Sequence, residues 1–274
     1  MENYIKEFDN YKQANIYNFE QGKGGIGDCL KYFLILLNKS IKEKKRLYYL
    51  QNNIDTEKYL KLKYEKMYID KDSLNNLKKT INCKIVNLGS LYKYLKKINH
   101  SVKCDSYQKE DDIKKLLSEL ITINQVFIFD NSVIENSNLL LNSKIKNYIS
   151  LHVRLGDKFL ETDKKFVFCK QDKRDYNKSA LFKFIEENKD KNIIFFCDNN
   201  QYKLDLKKKY NDIIILDTEI GHTSLSNTTE KQVLDTVTEF YIMCHSDKIV
   251  CASMSGFPLI ASKFNDIPLT ILLS

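Results

Sequence analysis

Short apolar runs alternate with helix-patterned segments along the whole chain. The strand-like runs lie near Asn15 to Phe19, Arg46 to Leu50, Lys84 to Leu88, Gln125 to Phe129, Tyr148 to Val153, Asn192 to Cys197, Asp212 to Leu216, Lys248 to Ala252 and Leu269 to Leu272. Between them the sequence predicts helices over Asp28 to Lys42, Asp72 to Ile81, Asp111 to Ile121, Ser179 to Asn188, Tyr202 to Tyr210, Glu230 to Cys244 and Pro258 to Phe264. Alternation of this kind implies βαβ units, and therefore an α/β fold with mainly parallel sheets. No internal repeat and no low-complexity linker interrupts it.

At 274 residues the chain is long enough for two domains of ordinary size. The polar stretch Asn131 to Asn147, rich in Asn and Ser, is the best place to divide them. The expected domains are Rossmann-like halves covering 1–145 and 146–274, with a ligand in the cleft between them.

A net charge of +8 invites a nucleic-acid reading. The lysines, however, are interleaved with Asp, Glu and Asn, as from Lys42 to Arg46 and from Lys203 to Lys209. They read as solvated helix faces, so no nucleic-acid partner is expected and only a modest pull toward anions remains. Seven cysteines stand singly, without metal-ligand spacing, which points to reduced thiols and no zinc site. The longest apolar run, Tyr32 to Leu37, is far too short to span a membrane. The first residues lack the basic-then-apolar order of a signal peptide, so a cytoplasmic location is expected.

Chemistry concentrates where the run Tyr148 to Val153 ends. His152, Arg154, Asp157 and Lys158 follow within one short loop, with Gly156 among them. Charge this dense is costly to bury, and ligands of open α/β sheets bind at the carboxyl ends of strands. Arg154 offers a planar fork of donors suited to phosphate. The loop therefore reads as a site for an anionic, phosphorylated ligand.

Two further segments point the same way. Gly22-Lys23-Gly24-Gly25-Ile26-Gly27-Asp28 precedes the first long helix, where glycines permit close backbone approach and the helix N-terminus favours anions. A phosphate-loop NTPase needs Lys and Ser/Thr next; Asp28 and Cys29 stand there instead. The structural alternative is a glycine turn with Asp28 capping the helix. Ser253-Met254-Ser255-Gly256, after the strand Lys248 to Ala252, suits phosphate binding through hydroxyls and N–H groups, or a simple capping turn. Asp198 ends the strand Asn192 to Cys197, and Asp235 and Glu239 share a helix face suited to line a cleft, with surface carboxylates as the commoner explanation of such a pair. Arg154, Asp198 and Ser253/Ser255 thus mark separate strand ends of the second half.

In this order the segments resemble the fucosyltransferase superfamily of α1,2, α1,6 and protein O-fucosyltransferases. Its Gly-Gly-x-Gly-Asn/Asp-like segment is matched by Gly24 to Asp28, and its His-x-Arg-x-Gly/Thr-Asp peptide by His152 to Asp157. Lys158 and Glu161 extend the match toward the α1,6 branch. Phe196 to Asn199, Glu239 to Met243 and Val250 to Ser255 are similar to its later motifs. The second half matches nearly end to end, the first half only at the glycine loop. The departures are Glu239 in place of the usual Asp, and Gly256-Phe257-Pro258 in a chain without tryptophan.

The resemblance implies a GT-B-like fold and an inverting, metal-independent glycosyltransferase that moves L-fucose from GDP-fucose to a glycan hydroxyl. It places the acceptor side in 1–145 and GDP in 146–274. Arg154 would hold the β-phosphate and His152 would help form the nucleotide pocket, beside Gly25, Gly27, Asp28 and Asp198. Glu239 would accept from the guanine edge, and Ser253 and Ser255 would contact phosphates. Lys158 would add positive charge at the leaving group, and Glu161, with Asp157 in reserve, would be the base. The alternatives are a non-catalytic GDP-sugar-binding or interaction protein of the same fold and, with least support, a nucleic-acid-binding protein.

Overall fold

The computed structural model describes residues 1–20, 22, 24–52, 55–87, 115, 118–159, 173–223, 225 and 227–272. Two parallel sheets organise them. The first, in the order β4-β2-β1-β5, joins β1 (Gln13–Tyr17), β2 (Arg46–Leu50), β4 (Tyr68–Ile69) and β5 (Asn82–Val86). The second, β10-β9-β7-β8, joins β7 (Tyr148–Val153), β8 (Asn192–Cys197), β9 (Lys248–Cys251) and β10 (Leu269–Ile271). A small antiparallel pair, β3 (Leu60–Leu62) with β6 (Phe127–Phe129), stands apart from both.

Helices cover the sheets as crossovers require: α1 (Glu2–Glu7), α2 (Ile26–Lys42), α3 (Lys71–Leu77), α4 (Asn131–Leu140), α5 (Lys178–Glu187), α6 (Asn200–Lys209), α7 (Glu230–Met243) and α8 (Gly256–Ser262). β7 is buried along its whole length, as a central parallel strand covered on both faces must be. One face, Ile149, Leu151 and Val153, packs with Phe195, Val250 and Leu181 in a core confined to the second half. The other meets a larger core that runs from Tyr4 to Ile267 and so draws on both halves. α2 is buried around most of its girth, with Tyr32, Phe33, Leu34 and Leu37 fully enclosed.

Three expectations change. Asp212 to Leu216 is not a strand: Ile214 makes a single bridge to Ile194, and the chain then leaves the sheet. The polar stretch read as the place to divide the domains begins as α4, because the Asp130 carboxylate accepts from the Ser132 N–H at its N-terminus and Val133 and Ser137 bury one stripe. α4 packs against α7, where Asn136 Nδ2 donates to Asp235 Oδ1 at 3.2 Å and to Thr238 Oγ1 at 3.0 Å. The β3–β6 pair was not anticipated as a unit. The helix expected over Asp111 to Ile121 falls largely outside the described residues.

Candidate functional site

The carboxyl ends of β7, β8 and β9 converge, and backbone hydrogen bonds lock them together. Arg154 N–H donates to Ser253 Oγ at 2.6 Å, tying the end of β7 to the turn after β9. Leu155 and Gly156 donate their N–H groups to Asp198 Oδ1 and Oδ2 at 2.7 and 2.9 Å, tying the same loop to β8. Gly156 has φ +103°, a left-handed conformation that glycine adopts without cost. Arg174, which no sequence signal marked, closes the loop by donating its N–H to Leu155 O and its Nη1 to Met254 O.

These anchors aim the Arg154 guanidinium between two buried carboxylates. Nη1 lies 3.0 Å from Asp198 Oδ2, and Nη2 forms an ion pair with Asp157 Oδ1. The Arg154 side chain keeps 18% of its surface exposed, and its fork has five N–H donors in all. A planar cation fixed in this way retains donors for an incoming anion without needing to reorganise.

His152 is buried beside Arg154, its ring nearly parallel to Phe257 at a centroid distance of 6.1 Å. Burial first, then the nearby charges of Arg154, Lys203 and Arg174, push its pKa down to about 3, so the imidazole is neutral at ordinary pH. Its Nδ1 is buried with no hydrogen-bond partner among the described residues.

Glu239 and Asp235 are partnered and largely buried, unlike the surface carboxylates that are the commoner explanation of such a pair. Glu239 Oε1 accepts from Lys203 Nζ at 3.0 Å and from Thr218 Oγ1 at 2.5 Å, with Lys203 only 2% exposed. Asp235 is buried and accepts from Glu219 N–H, Lys231 and Asn136. Apart from Lys231, one turn earlier on α7 itself, these partners come from segments outside the helix and share no motif with it. Phe240 links α7 to the site through Phe257, at a ring distance of 5.1 Å.

The glycine loop reaches this cluster from the first half. Gly25 is the N-cap residue of α2, so Asp28 does not cap the helix; its carboxylate pairs with Lys31 at 2.7 Å. Ile26 N–H instead donates to Thr223 Oγ1 at 3.2 Å, across most of the chain's length. Gly27 lies against the turn after β9: a Cβ there would stand 2.8 Å from the Gly256 carbonyl carbon and 2.9 Å from Phe257 N. Ser255 caps α8, accepting from Phe257 N–H at 3.4 Å.

Of the residues singled out in the sequence, His152, Arg154, Asp157, Asp198, Ser253, Ser255 and Gly27 meet at this cluster, with Gly25, Asp28 and Glu239 at its borders. Lys158 is exposed, its Nζ 5.9 Å from the Phe159 ring centroid. Glu161 lies outside the described residues. Arg174, Lys203, Thr218 and Thr223 are additions that folding alone reveals. Among the described residues no group of three His, Cys, Asp or Glu side chains is placed to hold a metal ion, and no helix is long and apolar enough to cross a membrane.

No protein-family model and no curated protein matches the sequence. Solved structures do match in three dimensions. NodZ α-1,6-fucosyltransferase co-crystallised with GDP is 10% identical and aligns over 92% of this chain and 91% of its own, with a TM-score of 0.52. Fucosyltransferase NodZ from Bradyrhizobium, also 10% identical, aligns over 92% of each chain with a TM-score of 0.51. A mutant of Arabidopsis thaliana FUT1 in complex with GDP is 13% identical over 99% of this chain and 74% of its own, with a TM-score of 0.53. The chain has the GT-B-like fold of these fucosyltransferases. At such identities the likeness is one of fold, and the site has to be argued from its own residues.

Proposed function

We propose that the cluster binds the diphosphate of a GDP-sugar, and that the protein is an inverting fucosyltransferase moving L-fucose from GDP-fucose to a glycan hydroxyl without a metal ion. The observation that carries this reading is Arg154, held at the carboxyl end of β7 between Asp157 and Asp198 while the N-terminus of α2 closes on the neighbouring turn. A diphosphate leaving group needs fixed positive charge and N–H donors aimed at the oxygen on which charge develops. Arg154, the first turn of α2 beside Gly25 and Gly27, and Lys158 supply them. Asp28, in that turn, balances Lys31 rather than the ligand.

In the reaction the acceptor oxygen attacks the anomeric carbon from the face opposite GDP. The sugar–phosphate C–O bond breaks, its electron pair goes to the β-phosphate oxygen, and the acceptor proton passes to a base. Glu161 is that base in this proposal. Asp157 is committed to Arg154 and serves to orient it. Ser253 is fully buried with its hydroxyl taken by Arg154 N–H, so it positions the arginine, and Ser255 shapes the turn that faces the phosphates. His152 and Glu239 lie on the nucleoside side. Residues 146–274 would then carry the donor, and 1–145 the acceptor.

Thermal-shift and calorimetric titration with GDP, GDP-fucose, UDP and ADP test the reading. GDP and GDP-fucose stabilise the protein, Arg154→Ala abolishes that binding, and Glu161→Gln keeps binding but loses transfer. EDTA leaves transfer intact. Absence of GDP binding would overturn the proposal; GDP binding without transfer to any glycan would leave the non-catalytic alternative.

A further inference from the structure

Lys203 is the most enclosed charged side chain beside the proposed nucleotide site. It comes from α6, on a helix whose neighbouring lysines, Lys207, Lys208 and Lys209, belong to its last turn. Its Nζ reaches across to α7 and meets Glu239 Oε1 at 3.0 Å and Thr218 Oγ1 at 3.4 Å, and Thr218 Oγ1 in turn donates to the same Glu239 oxygen. A carboxylate oxygen has two lone pairs, so two donors fill Oε1. Among the described residues Oε2 takes no hydrogen bond, and it is not a buried atom. The Glu239 side chain keeps 15% of its surface exposed, whereas Lys203 keeps 2%. The lysine charge also reaches His152, which it helps to hold neutral.

We infer that Lys203 and Thr218 are positioning residues that turn Glu239 into a one-oxygen reader of the nucleobase, with Oε1 pinned and Oε2 presented as the single acceptor. The inference rests on the proposed GDP-sugar site and sharpens its selectivity. A bare carboxylate takes guanine through both oxygens, one on the ring N1–H and one on the exocyclic 2-amino group. With Oε1 filled, only one of those hydrogen bonds can form here, and the ring N–H is the one that hypoxanthine shares with guanine. Adenine presents an unprotonated ring nitrogen at that place, and two acceptors facing each other leave a desolvated carboxylate oxygen unpaired. Loss of the lysine would leave the Glu239 carboxylate without its counter-charge and without a fixed direction.

The test is calorimetric titration of the full chain with GDP, inosine diphosphate, ADP and inorganic pyrophosphate. In the wild-type protein GDP and inosine diphosphate are expected to bind within about threefold of each other, and ADP about tenfold or more weaker. Lys203→Met is expected to weaken GDP and inosine diphosphate about tenfold and to leave pyrophosphate unchanged, which a merely structural ion pair would not do. Thr218→Val, a change of nearly equal volume, should act in the same direction and covers the case in which Lys203→Met does not fold. Inosine diphosphate binding tenfold more weakly than GDP would overturn the inference while leaving the GDP-sugar site standing. So would unchanged base preference in the folded variants. Failure of the wild-type chain to bind GDP at all would remove both.

Discussion

Gly27 and Gly256 meet backbone to backbone: a methyl group on Gly27 would stand 2.8 Å from the Gly256 carbonyl carbon. The contact brings the N-terminus of α2 onto the turn after β9, and so joins the glycine loop of the first half to the strand-end cluster of the second. Gly27→Ala should therefore force the two apart, since backbone atoms on both sides cannot yield as a flexible side chain would. We expect a loss of about 1–3 kcal/mol in urea unfolding, together with weaker GDP binding. A variant that unfolds and binds like the wild type would show that the contact opens at little cost.

Besides a long contact from Cys197 Sγ at 3.6 Å, Asp198 serves three donors of the β7 loop at once, two backbone N–H groups and the Arg154 guanidinium. Asp198→Ala leaves all three without their acceptor in a buried place. Breaking a buried pair from one side costs about 3–5 kcal/mol. Arg154→Lys keeps the charge but loses the planar fork, so it should bind GDP more weakly than the wild type while melting near it. Equal melting temperatures for Asp198→Ala and the wild type would refute this account of the loop.

The pKa of His152 lies near 3 in the folded chain, below its ordinary value of 6.5. Between those values the unfolded chain takes up a proton that the folded chain does not. The stability contributed by the neutral ring is therefore full above about pH 6.5 and is lost as pH falls toward 3. One such site adds up to about 1.4 kcal/mol per pH unit to the slope of stability. His152→Phe, an aromatic replacement beside Phe257, should flatten that slope between pH 6 and pH 4 in denaturant unfolding. An unchanged slope would mean that another group dominates the acid response.

Thr223 caps α2 from a segment far along the chain. Thr223→Val should cost about 1 kcal/mol, in the range of N-cap losses, with a larger effect on GDP affinity than on the melting of the second-half sheet. Hydrogen exchange of the first turn of α2 would register the change directly. Unaltered protection there would refute it.

The parts of the fold legible in the sequence were those in which local pattern and tertiary demand agree. Arg46–Leu50, Tyr148–Val153 and Asn192–Cys197 are apolar, aromatic-rich runs buried in parallel sheets, and their bounds coincide with the expected ones. Phe127–Phe129 lies within the run expected as a strand, but Leu60–Leu62 is too short for alternation to register, and only its antiparallel pairing with Phe127–Phe129 makes it a strand. α4 was hidden by its Asn and Ser content; one buried stripe and contacts to α7 make it a helix despite mediocre propensity. At the site, Arg154, Asp198 and Ser253 were visible because each ends an apolar run. Lys203 was not, since a lysine among lysines on a polar helix reads as solvated until the partner helix is in place.

α4 belongs to the first half by chain order and to the second by packing. A peptide bond cut between residues 145 and 146 would therefore not release two separate bodies. The amino-terminal fragment would carry Asn136 away from Asp235 and Thr238 on α7, and each piece alone would expose surface that the shared core now hides. Mixed together, the fragments have every reason to reassemble. The chain lends itself to splitting into a complementing pair whose reunion restores the shared core.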